Sequence, residues 1–462
     1  MCSVVDGAFL EEVVDKGESN EEKRLCQKCK VQAPILTLRK KDVYCKDCFL
    51  HNCNHKFRST LGKNKAIRSN DRVLVGFSGS HGSLAVMKLI QSSFEDKNNP
   101  KKIQYHPHIF IIDETEINSN FDLDSVVKTA KSFNYPLYIS SISTFLEKEL
   151  TIYSSTDYKK GSEDAFPKIL EQIPDASLRA TFLKDVRSRI LCNAAKVLSC
   201  NKIFSGECAT SLAISLLSGV ALGRGAQVAN QSGFSDLRAG TDVQLLRPLR
   251  EFSVDEVAFF NMYQQPEIVV TPHVTNASGQ DQRNYSIEKL TESFVLGLQS
   301  GFPSTVPTIF RTGDKLRCES LTDESSQCSL CLGAIDVLDN GRSCTALEAV
   351  KFSKLVSEQG PKGLPETELT ANAFDRLKLT ETYEEQLSEN DSCGQGMCAE
   401  GSSCKKSGRQ QEEEEVLCKG FCYSCWTILS TMQPIPDLLR DEAMKKRRQR
   451  DMRAEIQDFL LD

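Results

Sequence analysis

The chain has no run approaching the ~20 apolar residues needed to cross a bilayer, which excludes a membrane-spanning helix. Its first residues, MCSVVDGAFLEEVVDKGESNEEKR, are acidic and lack a basic start followed by an apolar stretch, so no secretory leader is expected. The expected location is cytoplasmic, without membrane contact. Excess positive charge is also missing: 57 Lys and Arg stand against 63 Asp and Glu, a net charge of −6. A global attraction to nucleic acid is thereby excluded, and any RNA contact must come from local basic stretches. No repeat at a fixed period marks a solenoid. Tryptophan occurs once, as Trp426 beside a Cys pair, where a core position is expected.

Cysteine, by contrast, is abundant, at nineteen residues. In a reducing compartment, C-x-x-C spacing points to metal rather than disulfides. Cys26/Cys29 and Cys45/Cys48 are two such pairs, with fifteen residues between them. Two pairs supply four thiolates, which complete a closed tetrahedral site of structural rather than catalytic character. The intervening VQAPILTLRKKDVY is expected to form a short hairpin. Cys53, His51 and His55 lie close enough to replace one ligand, or else border the site as bystanders. The second set is Cys328/Cys331 and Cys422/Cys425, a split site for which Cys418 and Cys344 compete as ligands. Closing so long a loop costs only slowly more with length. One or two structural zinc ions are therefore expected. Cys393, Cys398 and Cys404 fall in a Ser/Glu-rich stretch and are assigned no chemistry beyond adventitious metal binding.

With 462 residues and about 150 per domain, the chain has room for two or three domains. Residues 1–25 read as a flexible leader and 26–57 as an N-terminal zinc-binding module, followed by a basic link over 58–70. Residues 71–310 alternate apolar runs with amphipathic segments, the pattern of an α/β domain with a parallel sheet flanked by helices. Strands are expected at 73–77, 109–112, 137–139 and 202–204, with a helix over 176–199 and an apolar step over 243–249. Ser253 and Glu256 form a capping box. Residues 311–359 and 417–436 read as a split C-terminal Cys-rich module. Between them, 360–416 is poor in large apolar groups and is expected to be a disordered acidic insertion. Residues 437–462 read as a charged helix.

After the first strand comes Gly76-Phe77-Ser78-Gly79-Ser80-His81-Gly82-Ser83, then a helix expected from Leu84. A strand, a Gly/Ser turn and a helix N-terminus present backbone N–H groups to a phosphate, although a plain packing turn gives the same pattern. His81 reads as a solvent-facing loop residue.

This arrangement resembles the PP-loop of ATP pyrophosphatases (a HUP-like fold), in which S-G-G-x-D-S follows the first strand. Ser78, Gly79 and Ser83 match, whereas Ser80 replaces the second glycine and Gly82 the aspartate. In that family the loop holds pyrophosphate while ATP activates a nucleobase carbonyl. The two replacements argue against activation and leave residual phosphate binding open. Cysteine pairs on either side of such a domain resemble the tRNA 2-thiolation group. Arg247-Pro248-Leu249-Arg250 matches its R-P-L-K/R step, while Gly206-Glu207-Cys208-Ala209-Thr210-Ser211 lacks its paired aspartates. With the acidic insertion, the combination is most similar to the cytoplasmic tRNA 2-thiolation protein 2 family, over residues 26–430.

The resemblance implies a non-catalytic subunit of the complex that 2-thiolates the wobble uridine (mcm5s2U) of cytosolic lysine, glutamate and glutamine tRNAs. It implies a heterodimer with a catalytic PP-loop paralogue, tRNA as a partner, and sulfur delivered by a thiocarboxylated ubiquitin-related carrier. Two alternatives stand beside it: a thiolase active with ATP in its own right, and a zinc-ribbon scaffold unrelated to tRNA. Arg58, Lys63, Lys65 and Arg68 are the expected tRNA contacts, and Lys445–Arg450 reads either as a further phosphate contact or as a solvated helix face. Cys192, Cys200 and Cys208 correspond in type to cysteines that family catalysts use, but helix-core positions are expected for them.

Overall fold

The computed structural model describes residues 25–38, 42–95, 104–154, 156–158, 165–238, 240, 242–264, 286–316, 327–335, 417–432 and 434–457. The expected leader, the acidic insertion, and Cys344, Cys393, Cys398 and Cys404 lie outside them. The chain divides into two compact units, the larger built around Met1–Ser320 and the smaller around the C-terminal segments.

The larger unit opens with a hairpin, β1 (Leu36–Leu38) and β2 (Asp42–Tyr44), paired antiparallel as expected between the first Cys pairs. Helix α1 (Lys46–Lys63) follows. The expected link at 58–70 is therefore helical to Lys63. The reason is an apolar stripe, Phe49, Cys53, Phe57 and Leu61, that continues beyond residue 57 and is buried along its length. Phe49 and Phe57 each contribute about 1.5–3 kcal/mol by burial.

The α/β region comprises β3 (Arg72–Gly76), α2 (His81–Glu95), β4 (His106–Asp113), α3 (Leu123–Lys131) and β5 (Leu137–Ser141). It continues with β6 (Tyr153–Ser154), α4 (Ala165–Glu171), α5 (Ala176–Val197), β7 (Lys202–Phe204), α6 (Ala209–Ala221), α7 (Val228–Ser232), β8 (Ser235–Asp236) and β9 (Gln244–Leu246). Helices α8 (Val254–Gln264), α9 (Ile287–Gly301) and α10 (Thr305–Gly313) complete it. The described strands form one sheet in the order β6-β5-β4-β3-β7-β9-β8. The five central strands are parallel, and β6 and β8 pair antiparallel at the edges. β3 and β4 bury all but their first residue, as strands covered on both faces must. Val73 and Val75 join α1, α2, α3 and α8 in one apolar core, while α5 packs on β4 and β7.

From β3 the chain crosses first to β4 on one side and later to β7 on the other. The C-terminal ends of β3 and β7 therefore frame the topological switch point, where α/β sheets bind ligands. The described C-terminal helices are α11 (Tyr423–Leu429) and α12 (Asp437–Gln457), the latter within the stretch read from the sequence as a charged helix. No described helix is long and apolar enough to cross a membrane.

Candidate functional site: two four-cysteine clusters and a rebuilt phosphate loop

Cys26, Cys29, Cys45 and Cys48 place their sulfur atoms within 4.8 Å of one another. The first pair sits on a knuckle: Lys30 N–H bonds the Cys26 carbonyl, and Lys30 itself takes a left-handed φ of 57°. The second pair opens a helix. Cys45 caps α1 and Cys48 lies in its first turn, where the helix dipole favours negative charge. Four thiolates around a single tetrahedral ion with ~2.3 Å bonds lie ~3.8 Å apart. The Cys29–Cys45 sulfur separation is 3.9 Å. Burial raises the Cys26 thiol, but N–H groups of Cys29, Cys45 and Lys28 outweigh it and bring the pKa down to about 6. Cys29 is lowered, chiefly by the N–H groups of Gln32 and Val31. Cys48 is pushed up to about 12 by burial and by the crowded neighbouring thiols. Four thiols converging at this spacing fit a cation at their centre.

Cys328, Cys331, Cys422 and Cys425 converge in the same manner, again within 4.8 Å. The construction repeats: Leu332, directly after the second cysteine, has φ 60°, and Cys422 and Cys425 straddle the start of α11. Cys418 is not part of this group. In the smaller unit, the N–H groups of Cys328 and Ser329 bond the Gly333 and Gly420 carbonyls, and Trp426, half-buried, stacks on Phe421.

At the switch point, Gly79 adopts a left-handed φ of 76°, and the hydroxyls turn inward. Ser78 and Ser80 lie 3.0 Å apart, Ser80 and Ser83 3.4 Å, and Ser83 donates to the Ser80 carbonyl at 3.0 Å. Leu84 N–H bonds the same carbonyl, so α2 starts three residues earlier than the sequence suggests. His81 is consequently a half-buried helix residue, not a loop one, and its carbonyl accepts from Asn261. From β7, Gly206 packs directly on this turn. A Cβ there would lie 2.5 Å from Gly82 C and Ser83 N, so the two loops touch backbone to backbone. The small cavity beside them is lined by Phe77, Ser78, Phe110, Ile112, Phe121 and Leu191, with Glu114 as its one acid. Both Glu114 oxygens accept from Arg187, at 2.6 Å each.

The remaining charge at this end of the sheet is also committed. Arg247 donates to Glu207 at 2.7 Å and to the Asn230 and Gly233 carbonyls, and it reaches Asp236 at 3.4 Å. Burial opposes ionisation of Glu207, but Arg247 prevails and holds it well below the usual carboxylate range. Arg250 donates to Asp314 and lies 4.2 Å over Phe310. The R-P-L-R step is thus a structural clamp. Ser253 and Glu256 cap α8 reciprocally as expected, and Glu256 also binds Lys56 of α1 at 2.7 Å. Cys192 and Cys200 are buried, which pushes each thiol up to about 11, and Cys208 is buried at the start of α6. Lys63, Lys65 and Arg68 are exposed and Arg58 half-buried. Sequence reasoning missed the Arg187–Glu114 pair and the Gly206 contact. Neither leaves a local signal, because partners 73 residues and more apart meet only through the sheet.

A family model described as cytoplasmic tRNA 2-thiolation protein 2 matches residues 286–427. The protein of that name from Danio rerio is 29% identical, the alignment covering 100% of this chain and 99% of the relative. The one from Homo sapiens is 27% identical, with 96% and 94% covered. Among solved structures, the U34-tRNA thiolase NcsA from Methanococcus maripaludis, described with its 4Fe–4S cluster, is similar at a TM-score of 0.50 and 19% identity. That likeness covers 67% of this chain and 97% of the thiolase, and establishes the PP-loop fold.

Proposed function

We propose that the chain is a member of the cytoplasmic tRNA 2-thiolation protein 2 family and the non-catalytic subunit of a wobble-uridine thiolation complex in the cytoplasm. In this reading it binds lysine, glutamate and glutamine tRNAs together with a catalytic PP-loop paralogue. That paralogue activates the uridine with ATP and takes sulfur from the thiocarboxylated ubiquitin-related carrier.

The observation that carries the non-catalytic reading is the state of the switch point. Adenylation needs an open cradle of backbone N–H groups for pyrophosphate and an acid to manage the metal-bound phosphates. Here the turn's hydroxyls bond one another, Gly82 stands where the family has Asp, and Gly206 lies against the turn. Glu114 is held by Arg187, and Glu207 by Arg247. Cys192 and Cys200 are buried with raised pKa values, which disfavours the thiolate that nucleophilic work requires.

Each four-cysteine set would hold one zinc ion, which supplies folding energy rather than catalysis. The close sulfur spacing supports a single ion, because thiolates bound to separate irons of a cubane are held farther apart. The N-terminal module, bolted to the α/β region by α1 and the Lys56–Glu256 pair, would present Arg58, Lys63, Lys65 and Arg68 to tRNA phosphates.

The test is thiolation of a wobble-uridine tRNA by this chain, by its catalytic paralogue, and by the mixture, each with ATP and thiocarboxylated carrier. Activity that requires the mixture, with no ATP–pyrophosphate exchange by this chain alone, is expected. Exchange or thiolation by the isolated chain would overturn the reading and make it a thiolase in its own right.

A further inference from the structure

Helix α1 has two faces of different character. Inward, Phe49, Cys53, Phe57 and Leu61 pack with α2 and α8 into the apolar core. Half a turn away, His51, His55, Arg58 and Gly62 follow one another at helical spacing. His51, His55 and Gly62 are exposed, and Arg58 is half-buried. The stripe runs on into the exposed Lys63, Lys65 and Arg68. Between residues 46 and 70 there are six lysines and arginines and one acid, Asp47, in a chain whose net charge is −6.

Gly62 is the second, independent clue. Glycine inside a helix costs stability relative to alanine. Here neither usual compensation applies: Gly62 is not among the left-handed glycines, and a Cβ built on it meets no heavy atom within 4 Å. Among the described residues, nothing needs a bare backbone at this point. A glycine in open space on a basic, histidine-bearing stripe suits close approach by something outside.

We propose that this stripe is an RNA-docking face on which His51 and His55 stack against or hydrogen-bond nucleotides and Gly62 lets the sugar-phosphate chain lie against the helix. The chemistry is that of RNA readers: cationic groups for phosphate, with imidazole and guanidinium planes for unstacked bases. An acidic protein surface would match the charge, but it gives no reason for the histidines to line up with a bare backbone. The helix is fixed for the task, since Cys45 and Cys48 tie its start to the first cluster and Lys56 ties its middle to Glu256. The proposal rests on the tRNA-subunit reading above and adds to it which side chains meet the RNA.

The experiment uses the complex of full-length chain and catalytic paralogue, with an unmodified wobble-uridine tRNA transcript as probe. Binding is followed by fluorescence anisotropy between 50 and 200 mM salt, values on the order of those where phosphate contacts are decisive. Gly62→Glu is expected to weaken binding by about tenfold or more and to lower the log–log salt slope by about one for each phosphate no longer neutralised. His51→Ala with His55→Ala should weaken binding by about fivefold or more. Gly62→Ala, adding only a methyl group where the chain is to lie, should weaken binding by a smaller factor, about two- to threefold, while raising the melting temperature. If Gly62→Glu and the double variant melt normally and bind tRNA like the parent, the face is not an RNA contact, and the subunit reading stands. If they bind tRNA normally but lose the paralogue on gel filtration, the face is a protein interface and the proposal is overturned. If the parent complex shows no preference for tRNA over other RNA, the subunit reading itself fails.

Discussion

Lys88 lies on α2 at 2% exposure, and its one hydrogen bond, 3.2 Å long, goes to the Asn261 carbonyl. No carboxylate pairs with it among the described residues, and burial lowers its pKa from 10.5 to about 8. Below pH 8 the native state therefore holds a buried charge at full cost. Between about 8 and 10.5 the native lysine discharges while the unfolded chain still binds the proton. The unfolded state then carries more protons, so this residue makes stability rise with pH across that window. Lys88→Met should stabilise the protein at pH 7 by about 1–2 kcal/mol. The gain should shrink above pH 9, as read from urea midpoints at both pH values. An equal gain at pH 7 and pH 10.5 would show that Lys88 holds its proton as readily in the native state as in the unfolded chain.

At the scale of elements, much was legible because the strands announce themselves. Val73–Val75, Ile109–Ile112 and Ile203–Phe204 are short, apolar and followed by Gly, Asp or Ser, and each is a parallel strand of the sheet. The cysteine pairs were legible for a stricter reason. The x2 spacing fits a knuckle turn or the first turn of a helix, and each cluster uses one of each. The continuation of α1 to Lys63 was hidden by the basic residues of its outer face, which mask an apolar period of four on the inner one. This division of α1 has a consequence for metal removal. The described residues between 25 and 45 bury little besides Leu36, Leu38 and their own cysteines, whereas α1 from Phe49 onward is anchored in the main core. Chelation should therefore abolish hydrogen-exchange protection in the hairpin and knuckle and leave it largely intact from Phe49 to Leu61. Undiminished protection over 25–45 after complete chelation would mean that the cluster contributes no folding energy.

For the molecule as a whole, the replaced loop residues are one part of a larger change in the switch point. Two substitutions, Ser80→Gly and Gly82→Asp, would restore the S-G-G-x-D-S pattern on paper. The surroundings argue that this is not enough. Phe77, Phe110, Phe121 and Leu191 line the space beside the turn, Glu114 and Glu207 are bound by arginines, and Gly206 already touches Gly82 through backbone atoms. These features come from β3, β4, α5, β7 and the loop after β9, so a short sequence motif could not register them. Catalysis depends on donors placed for the transition state before the substrate arrives, and a crevice built for packing has none in position. The doubly substituted chain should therefore show no ATP–pyrophosphate exchange. It should also lose stability, by about 1–3 kcal/mol, because Gly82 is buried and a carboxylate there would lose its hydration. A pyrophosphate-exchange assay with calorimetric ATP titration, and thermal melting of the same sample, measure both effects. ATP binding or exchange restored by these two changes alone would show that the cradle had survived and that only its side chains were missing.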